Sequence, residues 1–475
     1  MPPRAHRRLT WPLISLVAGC LVGYLVVAHP LAAGLAVVVA AAVPIVLGRP
    51  DLLILSVVPL SVAHLSFVAD DVRGVLLVSL AVGLVLVPTL RSPVGRTRPL
   101  RMGWPALCVA ALAGLLLLST TVRDNAWTPD LPGRFSGLTH LIVVIGGLGL
   151  LIAVTVWPPK PADVARLVAL TGGIVGLYAL FNGHYNGGRL EALGINSNYL
   201  AALLAPSVGT GVALARQPRR LYHLAPAAIC LAAVQQTQSR AGVLAAVAGV
   251  LVAVISNRPA RQRFIGMAIS GILAAAVYVF RKPIWTVVFD ERPMSQLTDD
   301  SGRAGVLSAT LSAITQHPFN GIGYRMFPYY AMNHPDVGRF LKTHNDYLGL
   351  AAEAGIPAAL LLITLVVAGL LVRGDALLTP LRAAVAGGAV TLAFANVLVC
   401  PVVIVGFWIC LGCVLANRRR PADNADADAD TDTDTGRALG TGPTVGTAST
   451  VGTGPILGTG QVPRPHPHRE EAHAR

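Results

Sequence analysis

The stretch LKTHNDYLGLAAEAGIPAALLL, residues 341–362, decides the fold, because a polar segment ends there and an apolar run of helical composition begins. The run continues to about residue 372 with one charge, Glu353, in its interior. A bilayer core of roughly 30 Å is crossed by about 20 apolar residues in a helix. This run is therefore a span, and reading outward from it gives others of the same kind. Approximate spans fall at 12–28, 31–48, 51–69, 74–90, 103–121, 138–157, 164–181, 198–215, 221–236, 240–256, 264–280, 347–372, 381–399 and 401–416. The expected fold is all-α, a polytopic transmembrane bundle of about fourteen helices occupying residues 1–420. Leu, Val and Ala with scattered Gly and Pro suit such helices, whereas barrel strands would alternate polar and apolar residues.

Composition agrees. Of 475 residues, 54% are hydrophobic and 13% charged, against roughly a quarter charged in soluble domains. The formal charge of +14 is spread over the loops between spans, so it marks no nucleic-acid surface. With the N-terminus inside, twenty Lys and Arg fall on inner segments, while the short outer loops hold five: Arg73, Arg123, Arg134, Arg189 and Arg240. Positive charge in short loops sets orientation, so both termini are expected in the cytoplasm and residues 281–346 outside, as one long outer loop containing short helices. After Arg420 the chain turns to ADNADADADTDTDTG and loose Gly-Thr-Pro repeats, so 421–475 is expected to be a disordered cytoplasmic tail. All six cysteines lie in apolar runs and are read as packing residues, with no metal site among them. His64 and His140, near span ends, are read in the same way.

Soluble-enzyme signals are missing: there is no GxxxxGK[ST], HExxH or GxSxG, and no GxGxxG between a strand and a helix. Three outward positions carry the chemistry instead. In TQSRAG, Ser239 is placed to cap a span whose first turn contains Arg240. In DDSGRAGVLSATLSAITQ, Ser301 is placed to cap a helix to about Gln316, with Leu307, Leu311 and Ile314 as its apolar face and Arg303 at its N-terminal edge. In the opening stretch Thr343 is read as the cap and His344 as the start of the span, with Lys342 just outside. Asp346 and Glu353 follow on one face. Helix N-termini with guanidinium groups beside them suit phosphate oxygens, and three on one membrane face suit a diphosphate. An ionisable residue as deep as Glu353 is a functional candidate in its own right. A Gly- and amide-rich outer loop adds Arg189, Glu191, Asn196 and Asn198 as candidates for sugar hydroxyls.

Taken in order, SRAG at 239–242, Arg303, HPFNGIG at 317–323 and HNDYLGLAAEAGI at 344–356 resemble the O-antigen ligase and O-antigen polymerase superfamily of bacterial membrane glycosyltransferases. The Gly188-to-Asn198 stretch is similar too, so the resemblance covers about 180–415. It implies a helical fold of the C type among glycosyltransferases, in the cell membrane, acting in cell-envelope polysaccharide biosynthesis. The implied donor is a glycan on a polyprenyl diphosphate. The acceptor is a hydroxyl of a glycan, lipid or protein, at the outer face among membrane lipids. It further implies that Arg240 and Arg303 hold the diphosphate and that His344 is the base or positioning group, with Asn345 in the same His-Asn step. No cofactor or metal is required, since guanidinium groups can neutralise a departing diphosphate. The alternative reading is a multi-span transporter or lipid-linked glycan flippase without covalent chemistry, suggested by the span number and Glu353. Such a protein is expected to show related halves, and no clear repeat is present.

Overall fold

The computed structural model describes residues 50–62, 103–122, 134–217, 220–256, 301–372 and 376–417. The expected spans at 12–28, 31–48, 74–90 and 264–280, His64, Cys20 and the tail 421–475 lie outside the described residues. The described residues are mostly helical. In chain order they form α1 (Pro50–Val62), α2 (Trp104–Ser119), α3 (Arg134–Val156), α4 (Pro161–Asn182), a small hairpin β1 (His184–Asn186) and β2 (Arg189–Glu191), α5 (Ser197–Ala215), α6 (Leu224–Gln236), α7 (Arg240–Ile255), α8 (Ser301–Gln316), α9 (Phe327–Asn333), α10 (Asp346–Ala354), α11 (Ile356–Leu371), α12 (Thr379–Phe394) and α13 (Pro401–Ala416). Among the described residues, three helices are long and apolar enough to cross a membrane: Pro161–Asn182, Ser197–Ala215 and Ala376–Phe394. At 1.5 Å per residue the first is about 33 Å long, enough for a bilayer core. Five shorter apolar helices stand beside them: Trp104–Ser119, His140–Val156, Arg240–Ile255, Ile356–Leu371 and Pro401–Ala416.

Two expectations change. The run read as one span from 347 to 372 is two helices, because Gly355 at φ 89° and ψ 161° ends α10 and Pro357 sits in the first turn of α11. A proline has no N–H to lose at that position, so the break costs α11 nothing. The cap also moves: Asn345, rather than Thr343, closes the N-terminus of α10, its Oδ1 accepting from Leu348 N–H at 3.0 Å. The helix therefore starts at Asp346, and His344 precedes it.

Small residues let the helices approach. Gly209 of α5 faces Gly249 of α7 so closely that a Cβ on Gly209 would lie 2.6 Å from the Gly249 carbonyl carbon. Without a hydrophobic gain between helices in lipid, such close packing and interhelical hydrogen bonds carry association. Ser207 Oγ donates to Val168 O at 3.0 Å and Thr210 Oγ1 to Pro380 O at 3.3 Å, joining α5 to α4 and α12.

These bonds also fix direction. Asn198 of α5 meets Ser239, the cap of α7, at 3.2 Å, while at the other end the Arg216 guanidinium after α5 meets the Ala253 and Val254 carbonyls that close α7. The two helices thus run parallel, and the basic side chain satisfies free carbonyls of a helix C-terminus. Helix α12 begins beside Thr210, in the far half of α5, so it runs the opposite way and its exit, residues 395–398, returns to the end that holds Asn198 and Ser239. Arg382 near the start of α12 likewise donates to Leu370 O at 2.7 Å, at the far end of α11. One end of the bundle therefore gathers the starts of α5, α7 and α10.

Candidate functional site

At that end the hairpin and two helix starts form a first polar cluster. Arg189 Nη2 donates to Asn198 Oδ1 at 2.6 Å and its Nε to Thr237 O at 3.2 Å. Ser239 Oγ donates to the same Asn198 oxygen at 3.2 Å and accepts from Gly242 N–H at 3.3 Å, so it caps α7 as expected and leaves Arg240 as the helix's first residue. Asn196 caps α5, its Oδ1 accepting from Asn198 and Tyr199 N–H. The sequence candidates Arg189 and Asn198 thus meet at one amide oxygen, which also binds Ser239, the residue before Arg240. Glu191 faces away from it, 3.6 Å from His184 across the hairpin.

The second cluster is built by the 301–346 segment. The HPFNGIG motif is a brace against the end of α10. Ile322 N–H donates to Ala352 O at 2.9 Å, Gly323 N–H to Glu353 O at 3.1 Å and Ile356 N–H to Pro318 O at 2.8 Å, while Tyr324 N–H reaches Ser119 O at the end of α2. Backbone lies on backbone here: a Cβ on Gly321 would sit 2.3 Å from the Glu353 carbonyl carbon, and one on Gly355 2.1 Å from Phe319 O. Glu353 returns the contact, its Oε1 accepting from Phe327 N–H at 3.3 Å, with Arg325 N–H also bonded to its carboxylate. Its role in the fold is to hold the turn at 325–327.

Above this brace the entry to α10 is fixed by the α12 exit. His344 N–H donates to Asn396 Oδ1 at 3.0 Å, Asn396 Nδ2 donates to Thr343 Oγ1 at 3.1 Å, and Asp346 Oδ2 accepts from both Val397 and Leu398 N–H, at 2.7 and 3.0 Å. His344 is exposed and has φ 52°, a left-handed conformation uncommon outside glycine. Asp346 is buried, and burial pushes its carboxyl up to about 8 against the pull of its two N–H donors. Lys342 is half-buried, and its amine is lowered first by that burial and next by the Arg325 guanidinium.

Tyr324, Arg325, Lys342, Asp346, Glu353 and Asn396 line one open cavity. Three sequence candidates, Lys342, Asp346 and Glu353, share it. Tyr199, next to Asn198, feels the charges of both Asp346 and Arg325, so the two clusters are neighbours.

Residues 225–363 match the O-antigen ligase family model. No curated protein matches the chain. The match supports the O-antigen ligase and polymerase superfamily read from the motifs. The O-antigen ligase stretch contains Arg240, the 301–346 segment and α10, while Arg189 and Asn198 lie before it.

Three points go beyond or against the sequence reading. Arg325 and Asn396 were not singled out: Arg325 follows the motif directly but shares no periodic face with other candidates, and Asn396 lies fifty residues downstream in an apolar context. Arg303 falls on α8, although its side chain lies outside the described residues. The apolar face of α8 is also rotated in part from expectation, with Ile314 packed inward as expected. Val306, Ala309 and Ala313 are buried against Ile322, Phe327 and Ala352, whereas Leu307 and Leu311 are 47% and 48% exposed.

Proposed function

We propose that the chain is an O-antigen ligase-like membrane glycosyltransferase that transfers or polymerises a polyprenyl-diphosphate-linked glycan onto an acceptor hydroxyl. The reaction runs at the outer face of the cell membrane, in cell-envelope polysaccharide biosynthesis, with both termini cytoplasmic. The observation that supports this most is the gathering, at one end of the bundle, of the residues the O-antigen ligase motifs single out: the Arg240 helix start, the 317–323 brace and the His344 entry to α10. The excess of Lys and Arg on the opposite segments supports an outward position for that end.

In this reading Arg240 and Arg303 hold the donor diphosphate. His344 takes the acceptor hydroxyl proton as the oxygen bonds to the anomeric carbon, whose bond to the diphosphate oxygen breaks. Polyprenyl diphosphate leaves with the electron pair, its charge countered by guanidinium groups. The acceptor is a glycan, lipid or protein hydroxyl, and membrane lipids surround the polyprenyl tail. No metal enters this scheme.

Purified protein given a polyprenyl-diphosphate oligosaccharide and envelope acceptors tests it. Wild type is expected to form product and release polyprenyl diphosphate, and His344→Ala and Arg303→Ala to lose transfer while remaining membrane-inserted. Absence of product with every acceptor rejects the enzyme, and full activity in both variants rejects the assigned site.

A further inference from the structure

The cavity beneath the 324–328 turn contains hydrogen-bond donors that have no hydrogen-bond partner among the described residues. Tyr324 is 8% exposed, and its hydroxyl has no hydrogen-bond partner among the described residues. A buried hydroxyl left without a partner is unfavourable, so it marks a place for an acceptor. Arg325 and Lys342 line the same cavity, and the side chain of neither makes an ion pair or hydrogen bond among the described residues. The two acids on its wall act on them through charge, without a direct ion pair among the described residues. Asp346 Oδ2 is taken by Val397 and Leu398 N–H, and Glu353 Oε1 by the backbone of the turn. Burial lowers the Lys342 amine first and the Arg325 guanidinium next, while the charges of Glu353 and Asp346 oppose them. Arg325 is further held at φ 64°, a strained conformation that turns it out of the brace. Two half-buried cations and a free phenol donor around one space are complementary to an oxyanion of more than one charge.

We propose that Tyr324, Arg325 and Lys342 form a phosphate-binding subsite that takes the diphosphate of the lipid-linked donor. This rests on the proposed function for the source of the diphosphate and adds to Arg240 and Arg303 a set of residues that the motifs do not single out. Glu353 is a positioning residue in this subsite, because it fixes the Arg325 turn through main-chain bonds.

The test uses the full chain in phosphatidylcholine nanodiscs, with intrinsic fluorescence following three probes: inorganic pyrophosphate, polyprenyl diphosphate in the disc, and phosphatidylglycerol in the disc. The variants are Tyr324→Phe, Arg325→Asn, whose side chain tolerates positive φ, and Lys342→Gln, with Lys342→Arg as the charge-retaining control. Size-exclusion profiles show which variants fold. Saturable pyrophosphate and polyprenyl diphosphate binding is expected in wild type and Lys342→Arg. A weakening of about tenfold is expected in Arg325→Asn and Lys342→Gln, and of a few-fold in Tyr324→Phe. Wild-type affinity in all folded variants overturns the subsite, as does phosphatidylglycerol displacing pyrophosphate, which would make it a general headgroup site. No binding of either diphosphate by wild type also overturns it. Unchanged binding in the variants, with transfer still lost in His344→Ala, removes the subsite and leaves the proposed function. Binding that depends on Arg325 and Lys342 in a chain that transfers no glycan removes the proposed function and leaves the subsite.

Discussion

Gly355→Ala tests whether the close backbone contact between the 317–323 brace and α10 holds the site together. Gly355 has φ 89° and ψ 161°, a region essentially reserved for glycine, where another residue costs about 1–3 kcal/mol. The added methyl would also lie 2.1 Å from Phe319 O, 2.5 Å from its carbonyl carbon and 3.0 Å from Asn320 N, all backbone atoms that cannot rotate away. Overpacking of this kind costs about another 1–3 kcal/mol. Together these are a large fraction of a typical stability of about 5–15 kcal/mol. Gly338→Ala separates the two contributions, since Gly338 has φ 59° and nothing within 4 Å of the new Cβ, leaving only the backbone cost of about 1–2 kcal/mol. Gly114→Ala is the opposite control: it sits inside α2 with open space around it and is expected to stabilise by about 0.5–1 kcal/mol. Thermal loss of the monodisperse detergent-solubilised protein should therefore rank Gly355→Ala lowest, then Gly338→Ala, then wild type, then Gly114→Ala. A Gly355→Ala protein melting with or above Gly338→Ala would show that the brace is not packed as described.

Asn198→Ala removes the acceptor shared by Arg189 and Ser239, so it should cost about 1.5–3 kcal/mol for the charged bond, read as a lowered melting temperature. Arg189→Lys should recover little of wild-type stability, because one ammonium cannot bond Asn198 and Thr237 O in the directions that Nη2 and Nε supply. Asp346, whose carboxyl is raised from 3.8 to about 8 in the fold, binds a proton that the unfolded chain has lost between those values. Its contribution is full below 3.8 and declines as pH rises to about 8, so wild-type stability should fall across that window. Asp346→Asn keeps an oxygen for Val397 and Leu398 N–H and should flatten this part of the pH profile, and an unchanged slope would discount the burial effect. For Lys342 the sign is reversed in charge: its lowered amine loses its proton below the usual 10.5, so pyrophosphate affinity should begin to fall below that pH in wild type but not in Lys342→Arg.

Helix positions were readable because each apolar run between polar breaks must satisfy its own backbone in lipid, which leaves few alternatives to a helix. The expected boundaries at 103–121, 164–181, 198–215, 240–256 and 401–416 fall within a few residues of α2, α4, α5, α7 and α13. What failed was finer. The Gly355-Ile356-Pro357 step carries a C-terminal glycine and an N-terminal proline two residues apart, a legible break that an apolar average from 347 to 372 smooths over. The partly rotated face of α8 was hidden for another reason. Leucines mark a burial face when volume drives packing, yet this helix docks through Ala309 and Ala313, where small side chains let it approach Ile322 and Ala352. Candidate residues were legible where their spacing formed a motif. Arg325 was not, because what distinguishes it is a positive φ and a place in the cavity, neither of which has a sequence period.

Backbone strain gives an independent view of the same site. Four non-glycine residues among those described have positive φ: Leu193, Gln238, Arg325 and His344. Leu193 lies between the hairpin and α5, Gln238 immediately before the Ser239 cap, Arg325 at the end of the brace and His344 before the Asn345 cap. Such conformations persist only where surroundings over-determine them, and each costs of order 1–3 kcal/mol. Here the surroundings are identifiable for two of them: His344 N–H is held by Asn396, and the turn at Arg325 by Glu353. Leu193, Gln238 and His344 adjoin the starts of α5, α7 and α10, the helices whose entries meet at one end of the bundle, and Arg325 follows the brace against the end of α10. A fold selected only for stability would spread or remove such strain, so its presence there supports the proposed role of that end in holding side chains for a ligand. Releasing it therefore separates the two demands: Asn396→Ala should loosen the His344 turn and depress glycan transfer more than it lowers the melting temperature. Equal loss of both would reduce the strained turns to a matter of folding alone.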